Sequence, residues 1–569
     1  MGDYLLSKNA TQLLEQRYLL RDGARNIVES PCQLFKRVAK SVGDTEELKE
    51  KFYHILSNLE FLPNSPVLMN AGTSMGQLSA CFVLPIEDSM ESIFSALKTM
   101  AIVHQTGGGT GFNFSHIRPK GDIVNSTKGN ASGPLSFMRI FDTATDTIVQ
   151  GGRRRGANMG ILNCDHPDIL DFIQTKKDKN NLNNFNLSVA VTNSFMRAIK
   201  NRKDYALINP RTNSMIKKVS ANKILDAISL SAWETGDPGV IFMDTINKHN
   251  PLPSLGRIES TNPCGEVPLL PYESCTLGSI NLAKITITKQ IDWSKLKGLV
   301  WLGVRFLDNV IEVNKYILPE IEKTAKENRK IGLGVMGFAD MLIQLGIPYN
   351  SEKAASTAKE IMKFISSESH KASGHLAKER GNFPNYIRSI YYNKYPMRNA
   401  TCTTIAPTGT LSIIAGCSSG IEPIFAINYE RNISGGSTIR EINPYFEEYA
   451  RKCNFYSKNL FDEIRHTGSA QNIKQIPETV RELFRTAAEI HPFQHLSIQS
   501  AFQKFTDNAV SKTINLPTNS SPRDIKNIFL KAFDLGCKGV TVYRYSSIKG
   551  QILRLEGFED QCVPHKCYF

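Results

Sequence analysis

Asn262, Cys264 and Glu266 bring an amide, a thiol and a carboxylate to alternate positions of the segment Asn262-Pro263-Cys264-Gly265-Glu266. In an extended segment these three side chains would point to the same side. Pro263 offers no N–H to a sheet and Gly265 tolerates positive φ, which favours a loop tip projecting into a cavity. This arrangement of an amide, a thiol and a carboxylate is the best clue to function in the sequence. The alternative is a surface turn with an incidental cysteine.

Further motifs that could do chemistry surround this segment. A second thiol, Cys275, follows eleven residues after Cys264. The other motifs are Asn64-Ser65-Pro66, Ser79-Ala80-Cys81, the glycine-rich run 107–113, the run 406–412, and the segments 511–517 and 539–544. Together they resemble the large catalytic chain of ribonucleotide reductases, most closely the adenosylcobalamin-dependent class, from about residue 10 to the C-terminus.

The resemblance assigns chemistry to the segment from Asn262 to Glu266, namely reduction of ribonucleotides to 2′-deoxyribonucleotides by a thiyl-radical mechanism. Diphosphates are the favoured substrates, and the sequence leaves triphosphates open. It implies that the thiyl form of Cys264 abstracts the 3′-hydrogen, that Glu266 accepts the 3′-hydroxyl proton and that Asn262 hydrogen-bonds the sugar. A thiyl is a reversible hydrogen-atom acceptor, and a carboxylate within reach can take the proton. The implied cofactor is adenosylcobalamin.

The same resemblance names two cysteine pairs. Cys81 and Cys275 match the pair that supplies two electrons and ends as a disulfide. Cys562 and Cys567 on the tail would then reduce that disulfide by thiol exchange and be reduced by a thioredoxin- or glutaredoxin-type partner. Their spacing, with four intervening residues, departs from the two-residue spacing common in dithiol relays.

Nucleotide-binding residues are implied by the same motifs. A glycine-containing turn that enters a helix can bind phosphate through backbone N–H groups. The residues assigned to the substrate are Ser65, Ala80, Gly108, Thr408, Gly409, Thr410, Leu411 and Ser412. Asp88 and Arg118 match effector-binding positions, for a deoxynucleoside triphosphate or ATP with Mg²⁺. Segments 151–160 and 176–184 match the loops that relay effector identity, and an effector site of this kind suggests a homodimer.

Alternatives from other classes are weaker. The catalytic subunit of a class I reductase, which needs a separate metal-containing radical subunit, carries a tyrosine pair where this chain has Tyr543-Arg544, although Tyr545 leaves a displaced pair open. A catalytically inactive nucleotide-binding regulator would have little need for the cysteines together with Glu266. A glycyl-radical reductase is disfavoured because the tail lacks a glycine-radical motif.

Composition limits the binding partners, the cellular location and the kinds of cysteine site to be expected. The net charge of +14 invites a nucleic-acid partner, but the basic residues are dispersed and fit a phosphorylated small substrate equally well. We expect neither nucleic acid nor membrane as a partner and, because no signal peptide is evident, a cytoplasmic location. The eleven cysteines lack the spacing of a disulfide scaffold. His565 with the tail cysteines lacks a second ligand pair, so no metal site is predicted.

The fold that must position these residues is expected to be α/β. Helical spacing at 10–19 and 46–59 is followed by short apolar runs that alternate with helical segments, as in 187–191 and then 220–235. The resemblance implies a ten-stranded α/β barrel with a central finger loop, preceded by a small helical N-terminal region. The predicted parts are therefore a helical region over 1–59, the catalytic barrel over 60–548, and a mobile tail with redox cysteines over 549–569.

Overall fold

The computed structural model describes residues 6–150, 154–178, 181–432, 438–545, 547 and 553–554. Helices and strands alternate over most of this length. The helices are α1 Lys8–Arg17, α2 Pro31–Val42, α3 Glu46–Ser57, α4 Ser65–Asn70, α5 Met90–Gln105, α6 Pro134–Thr147, α7 Ile169–Gln174, α8 Asn193–Lys200, α9 Ala221–Thr235, α10 Met243–Lys248, α11 Trp293–Val313, α12 Pro319–Asn328, α13 Phe338–Leu345, α14 Glu352–Arg380, α15 Gly409–Ala415, α16 Pro444–Lys452, α17 Lys458–Thr467, α18 Glu478–Leu483, α19 Pro492–Gln503 and α20 Pro522–Asp534.

The strands form one large sheet and several small hairpins. They are β1 Phe61–Pro63, β2 Cys81–Val83, β3 Gly109–Asn113, β4 Val149–Gln150, β5 Arg154–Arg155, β6 Asn158–Asn163, β7 Phe185–Val191, β8 Asp204–Ile208, β9 Met215–Ser220, β10 Gly239–Phe242, β11 Ser260–Thr261, β12 Pro268–Leu269, β13 Ser274–Asn281, β14 Thr286–Ile287, β15 Gln290–Ile291, β16 Ile331–Met336, β17 Asn428–Asn432, β18 Thr438–Ile442, β19 Thr513–Leu516, β20 Gly539–Arg544 and β21 Leu553–Arg554.

The large sheet has ten strands, in the order β1-β13-β2-β3-β6-β7-β10-β20-β19, with β16 added on β13. Strands β2, β3, β6, β7 and β10 run parallel. Strands β13 and β16 are parallel to each other, as are β19 and β20. The five-stranded group meets the two smaller groups in antiparallel pairs, β2 with β13 and β10 with β20, and β1 is antiparallel to β13.

Residues 401–405, which we call the seam, close this sheet into a barrel. Thr403 bridges Leu333 of β16, and Ile405 bridges Val510 just before β19. Leu333 N donates to Cys402 O at 2.7 Å, and Ile405 N donates to Ala509 O at 3.2 Å. The predicted α/β class and ten-stranded barrel are thereby confirmed, and the strand-like pattern at 401–406 corresponds to this seam.

The helical N-terminal region covers one half of the barrel. Its helices α1 to α3 share a buried apolar cluster with β13, β16 and the long helices α11 and α14. Helices α5 to α9 and α20 pack with the parallel strands in a second cluster. Helix α2 was not located from apolar spacing, although Ser30 and Gln33 form a capping box at its start.

The three-part division of the chain stays a prediction. Strand β1 and helix α4 lie beyond the predicted boundary at 59, and β1 pairs with β13 of the barrel. Of the predicted tail, only residues 553–554 are described. Within the described residues, no helix is both long and apolar enough to cross a membrane.

Candidate active site

A hairpin formed by β11 and β12 carries the segment from Asn262 to Glu266 into the barrel. Ser260 and Thr261 pair with Leu269 and Pro268, and residues 262–267 form the tip. Gly265 has φ +77°, a conformation that glycine adopts without strain. The prediction of a loop tip is therefore confirmed, whereas the extended conformation assumed for the alternating side chains is wrong because the tip turns at Pro263 to Gly265.

The glycine-rich strand β3 lets the hairpin approach closely. A Cβ built on Gly111 would lie 1.7 Å from the backbone oxygen of Thr261, a distance no side chain could tolerate. A Cβ on Gly109 would lie 2.9 Å from Cγ of Pro263. The glycines of the 107–113 run thus leave room for the hairpin backbone against the barrel wall.

Asn262 and Glu266 converge despite the turn between them. Asn262 Nδ2 donates to Glu266 Oε2 at 2.7 Å and to Cys81 Sγ at 3.3 Å, and its Oδ1 accepts from Val267 N at 3.0 Å. Asn262 and Glu266 are each only 2% exposed, whereas Cys264 at the tip is exposed. One amide therefore connects the buried carboxylate with the Cys81 thiol.

Burial raises the pKa of Glu266 to about 7, and the hydrogen bond from Asn262 opposes that shift. A carboxyl with a pKa near neutrality can exchange protons in both directions at physiological pH. Shifts of this kind are typical of functional carboxyl groups, although structural networks also produce them.

Three contacts from the barrel hold the hairpin tip. Thr404 Oγ1 in the seam donates to the backbone oxygen of Glu266 at 2.7 Å, and Ala509 N donates to the same oxygen at 2.9 Å. Asn186 Nδ2 on β7 donates to the backbone oxygen of Pro263 at 2.7 Å. None of these three residues was singled out from the sequence, because their role depends on contacts between distant segments.

Cys81 and Cys275 are brought together by the antiparallel pairing of β2 with β13, in which they are direct partners. Both cysteines are free and buried, in an apolar cluster with Val83, Val267 and neighbouring residues. The hydrogen bond with the Cys275 thiol, together with burial, raises the pKa of Cys81 well above its usual range. Cα atoms of directly opposed residues lie about 4.5–5.5 Å apart, within the range that a disulfide spans.

The residues predicted to bind substrate phosphate begin α15. Thr408 precedes the helix with φ +55°, Gly409 is exposed and Thr410 is half-buried. The hydroxyls of Thr408 and Ser412 are already engaged, because Thr408 Oγ1 accepts from Gly420 N at 2.7 Å and Ser412 Oγ lies 2.9 Å from Ser419 Oγ. Leu411 is buried. The exposed start of the helix therefore presents mainly backbone groups.

The other predicted substrate residues lie at the starts of β2, β3 and α4. Ala80 immediately precedes β2 and is half-buried, and Gly108 is buried ahead of β3, where a Cβ would lie 2.6 Å from the Phe82 ring. Ser65 begins α4, and its hydroxyl lies 2.8 Å from the Tyr18 hydroxyl.

The predicted effector residues pair with each other. Arg118 Nε donates to Asp88 Oδ2 at 2.7 Å, and Arg118 N donates to Asp88 Oδ1 at 3.2 Å. Arg118 Nη1 also donates to the backbone oxygen of Ile123 at 3.0 Å. Both relay segments, 151–160 and 176–184, lie partly outside the described residues, and Cys562 and Cys567 lie wholly outside them.

Comparison with known proteins agrees with the motifs. The family model "Ribonucleotide reductase, barrel domain" matches residues 79–543, and "Ribonucleotide reductase, all-alpha domain" matches residues 4–76. The chain is 48% identical to the vitamin B12-dependent ribonucleoside-diphosphate reductase of Thermoplasma acidophilum, covering 97% of this chain and 80% of the relative. Identity to the reductase of the same name from Mycobacterium tuberculosis is also 48%, covering 96% of this chain and 80% of the relative.

Solved structures point to the same family. The alpha subunit of the Actinobacillus ureae class Id ribonucleotide reductase superposes with a TM-score of 0.80 at 25% identity, covering 96% of this chain and 98% of that one. Together with the two family models, this likeness covers both the helical region and the barrel. The chain therefore belongs to the large catalytic chains of the ribonucleotide reductase family.

Proposed function

We propose that this protein reduces ribonucleoside diphosphates to 2′-deoxyribonucleoside diphosphates by a thiyl-radical mechanism that depends on adenosylcobalamin. The observation that carries the proposal is the hairpin tip, where Asn262 joins Glu266 to Cys81 and Cys264 is exposed beside them. The diphosphate substrate and the cobalamin cofactor are supported by the names of the relatives at 48% identity.

Cys264 and Glu266 would begin the reaction at the sugar. The Cys264 thiyl takes the 3′-hydrogen, and the Glu266 carboxylate accepts the 3′-hydroxyl proton, which eases loss of the 2′-hydroxyl as water. Burial of Glu266 and its pKa of about 7 fit a group that must accept this proton and later return it. Asn262 orients the carboxylate and hydrogen-bonds the substrate.

Cys81 and Cys275 would supply the two electrons that the reaction consumes. Both thiols lose their hydrogens and form a disulfide, while the nucleotide loses its 2′-oxygen as water, so each turnover oxidises one dithiol. Their opposition across β2 and β13 supports this role because little movement is needed to form the bond. The raised pKa of Cys81 keeps this thiol protonated until it reacts.

The start of α15 would hold the diphosphate. The first N–H groups of a helix lack partners within the helix and attract anions. Gly409 is exposed and Thr410 is half-buried there, so a phosphate can approach this end of the helix from solvent. Ser65, Ala80 and Gly108 would line the remainder of the substrate.

The exposed Cys264 fits a radical source that approaches from outside the hairpin, since its neighbours Asn262 and Glu266 are buried but the thiol is not. A Cβ on the adjacent Gly265 would likewise meet no described atom within 4 Å. Adenosylcobalamin supplies a carbon-centred radical by homolysis of its cobalt–carbon bond. On this proposal, Cys264 is the residue of this chain that receives the radical.

A class I catalytic subunit is the less favoured alternative. The relatives named subunit alpha, such as the one from Chlamydia muridarum, are 28% identical to this chain, well below the 48% of the B12-dependent relatives. Tyr543 lies at the end of β20 and is followed by Arg544, whose guanidinium stacks 4.3 Å from the centre of the Trp233 ring. The residue after Tyr543 is therefore an arginine that packs on Trp233, where a class I subunit carries the second tyrosine of its pair.

Asp88 and Arg118 would bind a nucleoside triphosphate effector together with Mg²⁺. Their mutual pair shows a cation and an anion already arranged side by side, with Asp88 suited to a ribose hydroxyl and Arg118 to phosphate. Asp88 lies just before α5, so effector binding could be transmitted along that helix.

A homodimer is supported by apolar side chains on α5 and α6. Met90 and Phe94, one turn apart on α5, are 55% and 43% exposed, and Ile140 on the adjoining α6 is 40% exposed. Exposed apolar side chains on two helices that pack together are typical of an interface between subunits. Phe94→Asp should convert a dimer to monomers in light scattering, whereas the exposed Ile387→Asp should not.

Cys562 and Cys567 would pass electrons from a thioredoxin-type partner to the buried disulfide. Replacing both by serine should stop repeated turnover with thioredoxin but preserve it with a small dithiol, which reaches the disulfide directly. Equal loss of activity with both reductants would contradict the shuttle while leaving the reaction itself intact.

The proposed reaction is tested most simply by replacing its radical carrier. Cys264→Ser should form no deoxynucleotide from any ribonucleoside diphosphate yet bind substrate nearly as well as the native chain, measured by calorimetry. Cys453→Ser, which alters another exposed cysteine, is the matched control and should remain active. Deoxynucleotide above background from Cys264→Ser would refute the assignment.

A further inference from the structure

Away from the hairpin, three potential metal ligands of different kinds meet behind the seam. His370 on α14, Cys402 in the seam and Asp507 in the loop between α19 and β19 each offer one atom, and these atoms lie within 4.8 Å of one another. None of these residues belongs to the motifs that identify the family. Imidazole nitrogen, thiolate sulfur and carboxylate oxygen are the ligands that Zn²⁺ and similar divalent ions prefer.

The Asp507 carboxylate is oriented in the way expected of a metal ligand. Its Oδ2 accepts hydrogen bonds from Cys402 N at 2.7 Å and Thr403 N at 3.2 Å, which fixes the plane of the group. His370 Nε2 lies 3.0 Å from each carboxylate oxygen. Supporting hydrogen bonds of this type hold ligands in place at metal centres.

The separations between the three ligand atoms are close to those that a bound metal ion requires. Ligands that bind Zn²⁺ at about 2.0–2.3 Å in tetrahedral geometry lie about 3.3–3.8 Å apart. The separations of up to 4.8 Å would therefore have to close by about 1 Å, and the 3.0 Å separation of His370 Nε2 from the Asp507 oxygens would have to open by a few tenths of an ångström. The thiol of Cys402 is fully buried, whereas the side chains of His370 and Asp507 are 26% and 15% exposed. An ion can therefore enter from the solvent side, where water can take the fourth position.

We propose that His370, Cys402 and Asp507 form a binding site for a divalent ion of the zinc type, which ties α14 to the seam of the barrel. Binding replaces the thiol proton of Cys402 and the proton that His370 shares with Asp507, so two protons are released when the histidine is protonated. The ion undergoes no redox change. The ion takes no part in the proposed reductase chemistry, and none of the hydrogen bonds described for the His370 and Asp507 side chains reaches residues 262–267.

The position of the site gives it a structural consequence. The Asp507 carboxylate accepts hydrogen bonds from the backbone N–H groups of Cys402 and Thr403. Thr404, which follows Thr403, and Ala509, two residues after Asp507, hold the backbone oxygen of Glu266. An ion bound to Asp507 and Cys402 would cross-link these two segments. Metal binding should therefore stabilise the closed barrel.

Cobalt is a suitable probe because a thiolate bound to Co²⁺ gives a charge-transfer band that oxygen and nitrogen ligands do not. The full-length chain, freed of metal by chelation and kept anaerobic, should bind about one Co²⁺ with this band, and Zn²⁺ should abolish the band by displacement. The titration is repeated in the Cys562→Ser/Cys567→Ser background, so that the tail thiols and His565 cannot supply the signal.

Three variants and one control locate the site. Cys402→Ser should lose the thiolate band, and His370→Ala and Asp507→Asn should each weaken Co²⁺ binding at least about tenfold. Because His370 is partly exposed on a helix, we expect its variant to fold even where changes at the more buried Cys402 and Asp507 do not. Cys417→Ser, which alters a cysteine outside the cluster, should leave binding unchanged.

Two outcomes would overturn the proposal. If the native chain gives no thiolate band, His370 and Asp507 form an ion pair only, and Cys402 is a buried core thiol. If the band persists in Cys402→Ser, the cobalt is bound by another cysteine. Both outcomes are read without measuring nucleotide reduction, so they do not depend on the proposed activity.

Discussion

Cys81 and Cys275 face each other as direct partners of two antiparallel strands, β2 and β13, which belong to different parallel groups of the barrel. Besides the short pair of β1 with β13, the sheet has two antiparallel pairs, β2 with β13 and β10 with β20. Asn262 then connects Cys81 to the hairpin tip. The thiol pair and the proposed base are therefore held by one continuous set of contacts.

This pairing predicts a defined single turnover. In the Cys562→Ser/Cys567→Ser background without added reductant, the chain should form about one deoxynucleotide per active site and lose two titratable thiols. Adding Cys81→Ser or Cys275→Ser should abolish that product. Cys537→Ser, a buried cysteine in a different apolar cluster, serves as control. Product without loss of thiols would contradict the role of the pair.

The pKa of Glu266 predicts a pH dependence of turnover. Because the group must be ionised to accept a proton, kcat/KM should rise with pH up to about 7, the pKa that burial gives this carboxyl, and level off above it. Glu266→Gln keeps the shape of the side chain but cannot accept the proton, so its turnover should be lost. A flat profile between pH 5 and 8 would contradict the assignment.

The same shift predicts a change in stability. The folded chain binds the Glu266 proton more tightly than the unfolded chain, so the free energy of unfolding should fall as pH rises from 4.5 to about 7. This shift corresponds to about 3 kcal/mol at most. Glu266→Gln should therefore be stabilised relative to the native chain at pH 8 and much less at pH 4.5, as measured by denaturant unfolding. Equal differences at both pH values would show that burial of the charge costs little.

Thr404 is predicted to be a positioning residue, acting through Glu266. Thr404→Val removes the hydrogen bond to the Glu266 backbone oxygen with little change in volume, so kcat should fall about ten- to hundredfold with a smaller effect on KM. Thr401→Val is the matched control, because Thr401 Oγ1 donates to Ile331 O in the same seam. Equal losses in both variants would indicate general loosening of the seam.

Much of the fold could be predicted from local pattern and motif. The segments 220–235 and 523–535 correspond to α9 and α20, and the apolar runs 187–191 and 539–543 to β7 and β20. These elements have long periodic patterns or buried apolar runs, which are the strongest signals in a sequence. The hairpin tip was also predictable, because proline and glycine alternate with the polar groups.

The contacts that complete the site could not be predicted in this way. Thr404, Ala509 and Asn186 act on the hairpin through long-range contacts that leave no local signal. The alternation rule failed at Cys264 because a turn replaces the extended backbone on which it depends. The pairing of Arg118 with Asp88 could likewise not be predicted, because each residue alone resembles a charged surface residue.

Effector control should depend on Arg118. Arg118→Ala removes hydrogen bonds to phosphate worth about 1.5–3 kcal/mol each, so affinity for deoxynucleoside triphosphates should fall about ten- to hundredfold. Basal turnover should persist, while the effector loses its influence over which base is reduced. Arg257→Ala, which breaks an exposed pair with Asp244, is the control. An unchanged effector response would mean that the effector binds elsewhere.

The central claim is that this one chain, with adenosylcobalamin, reduces ribonucleoside diphosphates through Cys264. The most direct measurement is deoxynucleotide formation by the purified chain with a dithiol, assayed with and without adenosylcobalamin, in air and without oxygen. We expect activity only with the cofactor, equally in both atmospheres, lost in Cys264→Ser and largely retained in Tyr543→Phe. Activity that ignores adenosylcobalamin and requires a separate metal-containing subunit, with Tyr543→Phe or Tyr545→Phe inactive, would contradict it.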